Sequence, residues 1–380
     1  MKRIKVAVIG DSNSPNLQSR VKKLSSYKEL EVQVFDNAYI RYEEDRIGSK
    51  FLKFLKLIPK AATSSWLLWR YMKLRQFSPD ITFVMYADPY SLLITQFLKT
   101  GKIISTWGSD ILKEQGALSR LFDRFIVKWA MKKANQIYCV SNHLKEEVLN
   151  LSGGNLREEP IVLHYGIDLK LYNWDKFRFE NADEVYGEKI FVIFSPRWCL
   201  PVYNIEGIID AFIILHERIN NVILKYREID LENTDNAVKC HAPIEEKIRR
   251  AGKNGHVEKL GLQSPEECLN EYHSSQIVIS LAHSDGTPLS VLEAMAAGCI
   301  VVCNRLPSLE KIIKNGENGF LVDGNNPNEV ADTLQFIIQN YKEIHQEIGM
   351  AARAYVEKNA NMQLEIDHYV QRIKSIHNKN

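Results

Sequence analysis

The sequence predicts an α/β protein built on two parallel sheets, each covered on both faces by helices. Three observations carry that expectation. Short runs rich in Val, Ile and Phe alternate with helix-period segments from the first residues onward, the pattern of consecutive βαβ units. The alternation lapses over the polar, aromatic-punctuated residues 170–189 and restarts at Phe191, as it would at a linker between two domains. A chain of 380 residues, 45% hydrophobic and 25% charged, is also long enough for two full cores. The expected boundaries are 1–172 for a first domain, 173–189 for the linker and 190–358 for a second domain, with 359–380 as a closing helix.

Composition narrows the function classes. No apolar run reaches the roughly 18 residues that span a bilayer, and MKRIKVAVIG opens a strand without a signal-peptide cleavage region. A cytoplasmic protein is expected. The six cysteines, Cys139, Cys199, Cys240, Cys268, Cys299 and Cys303, form no Cys-x-x-Cys pair and no His-partnered spacing, so neither zinc nor a disulfide framework is expected. The formal charge of +2 conceals an asymmetry: residues 1–175 carry 27 Lys and Arg against 18 Asp and Glu, and residues 176–380 carry 22 against 29. The basic half is the one suited to something anionic. Nucleic acid is not expected among the partners.

In the first half, Ile4 to Ile9 reads as the opening strand and Gly10-Asp11-Ser12-Asn13-Ser14-Pro15-Asn16 as a loop of turn residues. Loops at the carboxyl ends of parallel strands hold ligands in open sheets, so Ser14 and Asn16 are candidates for an acceptor wall. The Gly-x-Gly-x-x-Gly dinucleotide spacing is absent, which disfavours a Rossmann oxidoreductase. Residues 51–77 combine Phe51, Phe54, Leu55 and Ile58 with Lys53, Lys56 and Lys60. That is the composition of a helix on an anionic membrane surface, and equally of one packed on its own sheet with snorkelling lysines. Strands at Ile81 to Tyr86 and Ile103 to Thr106 follow, the second delivering Trp107-Gly108-Ser109-Asp110 to a loop, where Asp110 either faces ligand or caps a helix. After the strand Ile137 to Val140, Ser141 can cap a helix and His143 is either a site residue or an exposed first-turn one.

In the second half, Phe191 to Phe194 ends in Ser195-Pro196-Arg197-Trp198, and Val222 to Tyr226 runs into Arg227-Glu228. Ser264-Pro265-Glu266-Glu267 reads as an N-cap with Pro in the first turn. The strand Ile277 to Leu281 leads through a loop into HSDGTPLSVLEAMAAG, where Thr287 is expected to cap a helix and Pro288 to take its first position. Val291, Leu292 and Met295 should face the sheet, and Ser290, Glu293 and Ala297 should form a second ridge. Free amides at a helix start attract phosphate, whereas Asp285 and Glu293 suit hydroxyl groups of a sugar and a ribose.

The segment from Asp285 to Gly298, with Leu292-Glu293-Ala294-Met295-Ala296-Ala297-Gly298, resembles the acid-x7-acid motif of the retaining GT-B glycosyltransferases of family 4. Asp285 stands where that family usually has Glu. Trp107-Gly108-Ser109-Asp110 resembles the family's His-Gly-(Ser/Thr)-Asp with Trp at the His position. Arg197 matches the arginine of a Gly-Arg pair, and the family's following lysine aligns with Tyr203. The resemblance implies two Rossmann-like domains facing across a cleft, with residues 359–380 returning to the first domain.

It further implies transfer of a sugar from a nucleotide-sugar donor, with retention, to a glycan or polyprenyl-linked acceptor in cell-surface polysaccharide assembly, near the inner face of the membrane. Donor contacts are expected from Arg197, Tyr203, Asp285, Gly286, Thr287, Pro288, Leu289, Ser290 and Glu293, and acceptor contacts from Ser14, Asn16, Trp107, Gly108, Ser109, Asp110 and His143. Asp285, Arg197 and Asp110 are the catalytic candidates. No metal and no cofactor beyond the nucleotide-sugar co-substrate are expected. A GT-B nucleotide-sugar epimerase and a non-catalytic nucleotide-sugar binder remain as alternatives, separated by product analysis.

Overall fold

The computed structural model describes residues 3–36, 58–107, 110–111, 117–172, 190–228, 235–253, 255–285 and 288–379. They form two compact units, one of residues 1–164 with 362–380 and the other of 165–361. The turn at 165–172 thus belongs to the second unit. The Ile167 amide donates to the Ala360 carbonyl at 2.7 Å, which ties that turn to the end of the unit's last helix. Residues 173–189, expected as the linker, lie outside the described residues.

The first unit contains β1 (Ile4–Gly10), α1 (Pro15–Leu24), β2 (Leu30–Asp36), α2 (Ile58–Phe77), β3 (Ile81–Met85), α3 (Pro89–Gln96), β4 (Gly101–Thr106), α4 (Ala117–Lys133), β5 (Gln136–Cys139), α5 (Asn142–Ser152) and β6 (Ile161–Val162). Its six strands are parallel in the order β2-β1-β3-β4-β5-β6. Strands buried on both faces need continuous apolar runs, and Ile81–Met85 is buried throughout.

The second unit contains β7 (Phe191–Trp198), α6 (Ile205–Arg218), β8 (Val222–Arg227), α7 (Asp235–Arg250), β9 (Val257–Leu260), α8 (Pro265–Ser274), β10 (Ile277–Ser280), α9 (Leu289–Ala296), β11 (Ile300–Asn304), β12 (Phe320–Val322), α10 (Pro327–Gln339) and α11 (Tyr341–Asn359). Its strand order is β12-β11-β10-β7-β8-β9, again parallel. One core layer sets α6, α10 and part of α11 against the sheet through Ile209, Phe212, Leu334 and Ile337. On the other face Val291, Leu292 and Met295 pack with Val278, Val301 and Ala352, as the helical spacing of that segment predicts. The capping box at Ser264 forms, with Glu267 as its reciprocal partner.

The closing helix α12 (Met362–Lys379) packs in the first unit. Ile366, Tyr369 and Ile373 enter the apolar layer of β1 and β3. Glu365 receives Arg20 of α1 through two bonds, Nε to Oε1 at 2.8 Å and Nη2 to Oε2 at 2.9 Å, and the Tyr369 hydroxyl donates to Oε1 at 2.8 Å. A fork-to-carboxylate pair with a third donor meets the needs of both buried charges.

Candidate functional site in the second unit

In the second sheet the strand order reverses between β7 and β10: β8 and β9 lie beyond one, β11 and β12 beyond the other. The carboxyl ends flanking such a reversal are where open parallel sheets leave a crevice for ligands. Arg197 leaves the end of β7, where a bulge between Ser195 and Trp198 interrupts the pairing with β8, and Asp285 lies in the loop after β10. The two meet there, Arg197 Nη2 donating to Asp285 Oδ2 at 2.5 Å. The Asp285 carbonyl accepts from the Ser308 hydroxyl at 2.8 Å, which fixes the loop from beneath.

Tyr203 takes part through Arg197. Its ring lies 4.1 Å below the guanidinium carbon, and the short 3-10 turn Pro201–Tyr203 is tied to the β10 loop by the His283 amide donating to the Val202 carbonyl at 2.9 Å. An aromatic face supports a cation without neutralising it.

The expected start of α9 is displaced by one position. Pro288 is itself the cap residue, extended at φ −69° and ψ 111°, and its carbonyl accepts from the amides of Val291 and Leu292; the helix begins at Leu289. Proline has no amide to hide inside the first turn, so it serves on either side of this boundary. Gly286 and Thr287 lie outside the described residues. The Ser290 hydroxyl is buried with no hydrogen-bond partner among the described residues, one turn from Glu293.

Glu293 is held by two tyrosines that the sequence did not mark. The Tyr272 hydroxyl of α8 donates to Oε2 at 2.9 Å, and the Tyr172 hydroxyl bonds the same carboxyl. Burial raises the Glu293 pKa, and the tyrosine bonds and nearby arginines offset part of the rise. Burial likewise pushes both tyrosines up, so they stay donors. Arg353 of α11 donates to the carbonyls of Tyr172 and Ala296, bracing the Tyr172 segment against the end of α9.

Arg227 and Trp198 are the other residues that sequence reasoning passes over. The Arg227 guanidinium stacks on the Trp198 indole with its carbon 3.8 Å from a ring centroid. Burial raises the neighbouring Cys268 thiol to about 11, and Arg227 opposes that rise. The signal available was position: Arg227 ends the strand beside β7.

The residues expected to meet acceptor lie in the first unit, at the carboxyl ends of its strands. Asp110 accepts from the Ala87 amide at 2.8 Å and from the Trp107 amide at 3.0 Å through both oxygens, clamping the turns after β3 and β4. Its carboxylate thus holds the backbone that precedes it. Trp107 meets Tyr86 edge to face at 6.2 Å, and Tyr86 has φ +89°, a left-handed conformation costly for an aromatic residue. Ser14 caps α1 by position only, with no side-chain bond, and the Asn16 carbonyl accepts from Arg20 at 3.0 Å. His143 is exposed in the first turn of α5, behind Ser141, whose hydroxyl accepts the Leu144 amide at 3.2 Å. Gly108 and Ser109 lie outside the described residues. Among the described residues no cluster of three or more His, Cys, Asp or Glu gathers as a metal site, and no helix is long and apolar enough to cross a membrane.

Comparison with known proteins bears on both units. Residues 175–355 match the family described as glycosyl transferases group 1, and residues 5–141 match glycosyl transferase 4-like. An uncharacterized glycosyltransferase of Methanocaldococcus jannaschii is 23% identical over 90% of this chain and 89% of its own length. A D-inositol 3-phosphate glycosyltransferase of Corynebacterium diphtheriae is 33% identical over 30% of this chain and 26% of its own. In fold, the chain is similar to the Anabaena protein HepE solved with UDP, at TM-score 0.72, 14% identity and coverage of 98% and 100%. It is also similar to the sucrose-phosphate synthase of Thermosynechococcus elongatus, at TM-score 0.73, 14% identity and full coverage of both.

Proposed function

This chain belongs to the group 1, family 4 glycosyltransferases of GT-B fold, and from that premise we propose that it transfers a sugar, with retention of anomeric configuration, from a nucleoside-diphosphate sugar held in the second unit. The acceptor is a glycan or polyprenyl-linked glycan in cell-surface polysaccharide assembly. One observation carries the donor site: Arg197 and Asp285 are brought together where the strand order reverses, in the loop that leads into α9, whose Ser290 hydroxyl is buried with no partner among the described residues. HepE was solved with UDP, with UDP and glucose, and with UDP-glucose, which supports a nucleotide-sugar donor here.

The chemistry follows from charge. As the glycosidic bond breaks, negative charge grows on the leaving diphosphate, and fixed positive potential placed there lowers the barrier. Arg197 and the amides of Leu289 and Ser290 supply it without a divalent metal. Asp285 exchanges its bond with Arg197 for sugar hydroxyls, and Glu293, fixed by Tyr272 and Tyr172, accepts the ribose hydroxyls. Together they position the anomeric carbon. A diphosphate oxygen takes the acceptor's proton on the same face. In the first unit, the loops set by Asp110 present the acceptor.

The test is a thermal-shift screen of UDP, GDP, ADP, CMP and their sugar conjugates on wild type and Glu293→Ala, with and without EDTA. One nucleotide should raise the wild-type melting temperature regardless of EDTA and lose its effect in the variant. No stabilisation at millimolar concentration refutes the donor site.

A membrane contact belongs to the same proposal, and a separate surface on the first unit supports it. Leu68, Trp69, Met72 and Phe97 are exposed, around a pocket of about 350 Å³ lined by Leu67, Tyr71, Leu93 and Ile94. Lys73 lies over the Trp69 ring and Lys133 over Trp129. Residues 51–57, the start of the stretch marked in the sequence, lie outside the described residues. Apolar side chains beside lysines suit an anionic bilayer surface. The protein should float with phosphatidylglycerol vesicles at low salt and not with phosphatidylcholine, and Leu68→Ser with Trp69→Ser should abolish flotation.

A further inference from the structure

We infer that Arg227 is a second phosphate-binding cation of the donor site, and that it carries the net positive charge which Arg197 lacks. The inference rests on the donor reading and goes past the residues that the sequence motif marks. Arg197 is already matched by a carboxylate, since its Nη2 is engaged by Asp285, so the pair presents a fork of donors with little net charge. A diphosphate carries more negative charge than a neutral pair can balance.

Arg227 differs in the one respect that matters. Among the described residues its guanidinium contacts the Trp198 ring and makes a single long bond, Nη1 to the Pro196 carbonyl at 3.4 Å, while Nε is buried without a partner. No described carboxylate lies within ion-pair distance of it. The adjacent acid, Glu228, is taken by Lys259 at 3.0 Å. A partly exposed guanidinium with spare donors and no described carboxylate beside it suits an anionic ligand.

Its placement suits the diphosphate. The Arg227 carbonyl accepts from Cys199 at 3.1 Å, so the strand end is stitched to the segment that follows Arg197, and the side chain folds back over that same segment. The Glu293 carboxyl feels Arg227 and Arg197 together, which puts both guanidinium groups within electrostatic range of the proposed ribose acceptor. A guanidinium fork matches two phosphate oxygens at once.

Calorimetric titration of the full chain separates the possibilities. UDP, ADP and GDP are titrated into wild type, and the tightest is carried with its monophosphate and nucleoside into Arg227→Gln and Arg227→Lys. Circular dichroism and melting temperature confirm folding. Arg227→Gln should weaken the diphosphate by about 10- to 100-fold and the nucleoside by less than about twofold, with Arg227→Lys in between. Unchanged diphosphate binding in Arg227→Gln overturns the inference and leaves the donor reading intact. Equal losses for diphosphate and nucleoside also overturn it, because they place Arg227 against the base. If no nucleotide binds wild type, the donor reading itself fails.

Discussion

Replacing Asp285 by Asn removes a charge from the Arg197–Asp285 pair and keeps its shape. On the proposed donor reading, a diphosphate has to draw Arg197 away from a carboxylate at 2.5 Å. Arg197 keeps its charge in this variant, so the bond stays charge-assisted and only the Coulombic attraction to the carboxylate is lost, on the order of 1–1.5 kcal/mol for a partly buried pair. Releasing Arg197 therefore becomes cheaper by about 1–1.5 kcal/mol, which corresponds to a roughly 5- to 12-fold tighter dissociation constant for the free nucleoside diphosphate. Donor sugar hydroxyls lose a charged acceptor in the same variant, so the intact nucleotide sugar should gain less than the bare nucleotide, and transfer should fall. Calorimetry with the nucleotide and its sugar conjugate reads the first two quantities, and product formation from labelled donor reads the third. If Asp285→Asn binds the bare diphosphate more weakly than wild type, the competition described here is wrong and Asp285 serves to hold Arg197 in place.

The remaining expectations concern stability, pH and ring chemistry. Glu365→Ala leaves the Arg20 guanidinium, 1% exposed, without its carboxylate, at a cost of about 3–5 kcal/mol. At about 2–4 °C per kcal/mol the first unit should melt roughly 6–20 °C earlier. Hydrogen exchange resolved on α1 and α12 measures it, the apolar pair Arg20→Met with Glu365→Leu should recover most of the loss, and a deficit below about 1 kcal/mol would count against the buried pair. Glu293 has a raised pKa in the fold, so the native state holds its proton more tightly than the unfolded chain does. The sign follows: stability is greatest below the unfolded carboxylate value of 4.5 and falls as pH rises through the folded value. Glu293→Gln should therefore match wild type in melting temperature near pH 4 and exceed it by pH 8, and parallel curves would contradict the shift. Tyr203→Leu should weaken nucleotide binding by about 0.5–2 kcal/mol while Tyr203→Phe leaves it unchanged, since the ring face supports Arg197.

The sheets were legible because parallel strands buried on both faces must be apolar throughout, and Val6, Phe83, Ile193 and Ile279 announce them without context. The helix at Leu289–Ala296 was legible for a related reason: its burial ridge repeats at helical spacing. Its first residue was not, because Pro288 fits either side of the boundary. The helix Asp235–Arg250 was obscured by Pro243 in its interior, and no Gly or Pro announces the break at Asn340 that separates α10 from α11.

The site divides along the same line. Arg197, Asp285 and Glu293 stand in local motifs and could be singled out one at a time. Their partners could not, since Tyr272 reaches Glu293 from α8 and Arg227 becomes relevant only once β8 is known to lie beside β7. Strand order is a long-range property, and no window of sequence contains it. Asp110 stands in a local motif too, but the Ala87 and Trp107 amides that its oxygens accept from could be named only from the folded chain.

The return of α12 to the first unit bears on how the protein is made. Arg20 leaves the ribosome well before its partner Glu365, with the whole second unit synthesised between residues 164 and 362. At about 5–20 residues per second, roughly 10–40 s separate the completion of the six-stranded first sheet from the arrival of the helix that covers Ile4, Val8 and Phe83. Through that interval the apolar layer and a charged arginine lack the helix that covers them in the folded chain. A chain released before residue 362 would leave that layer open for good.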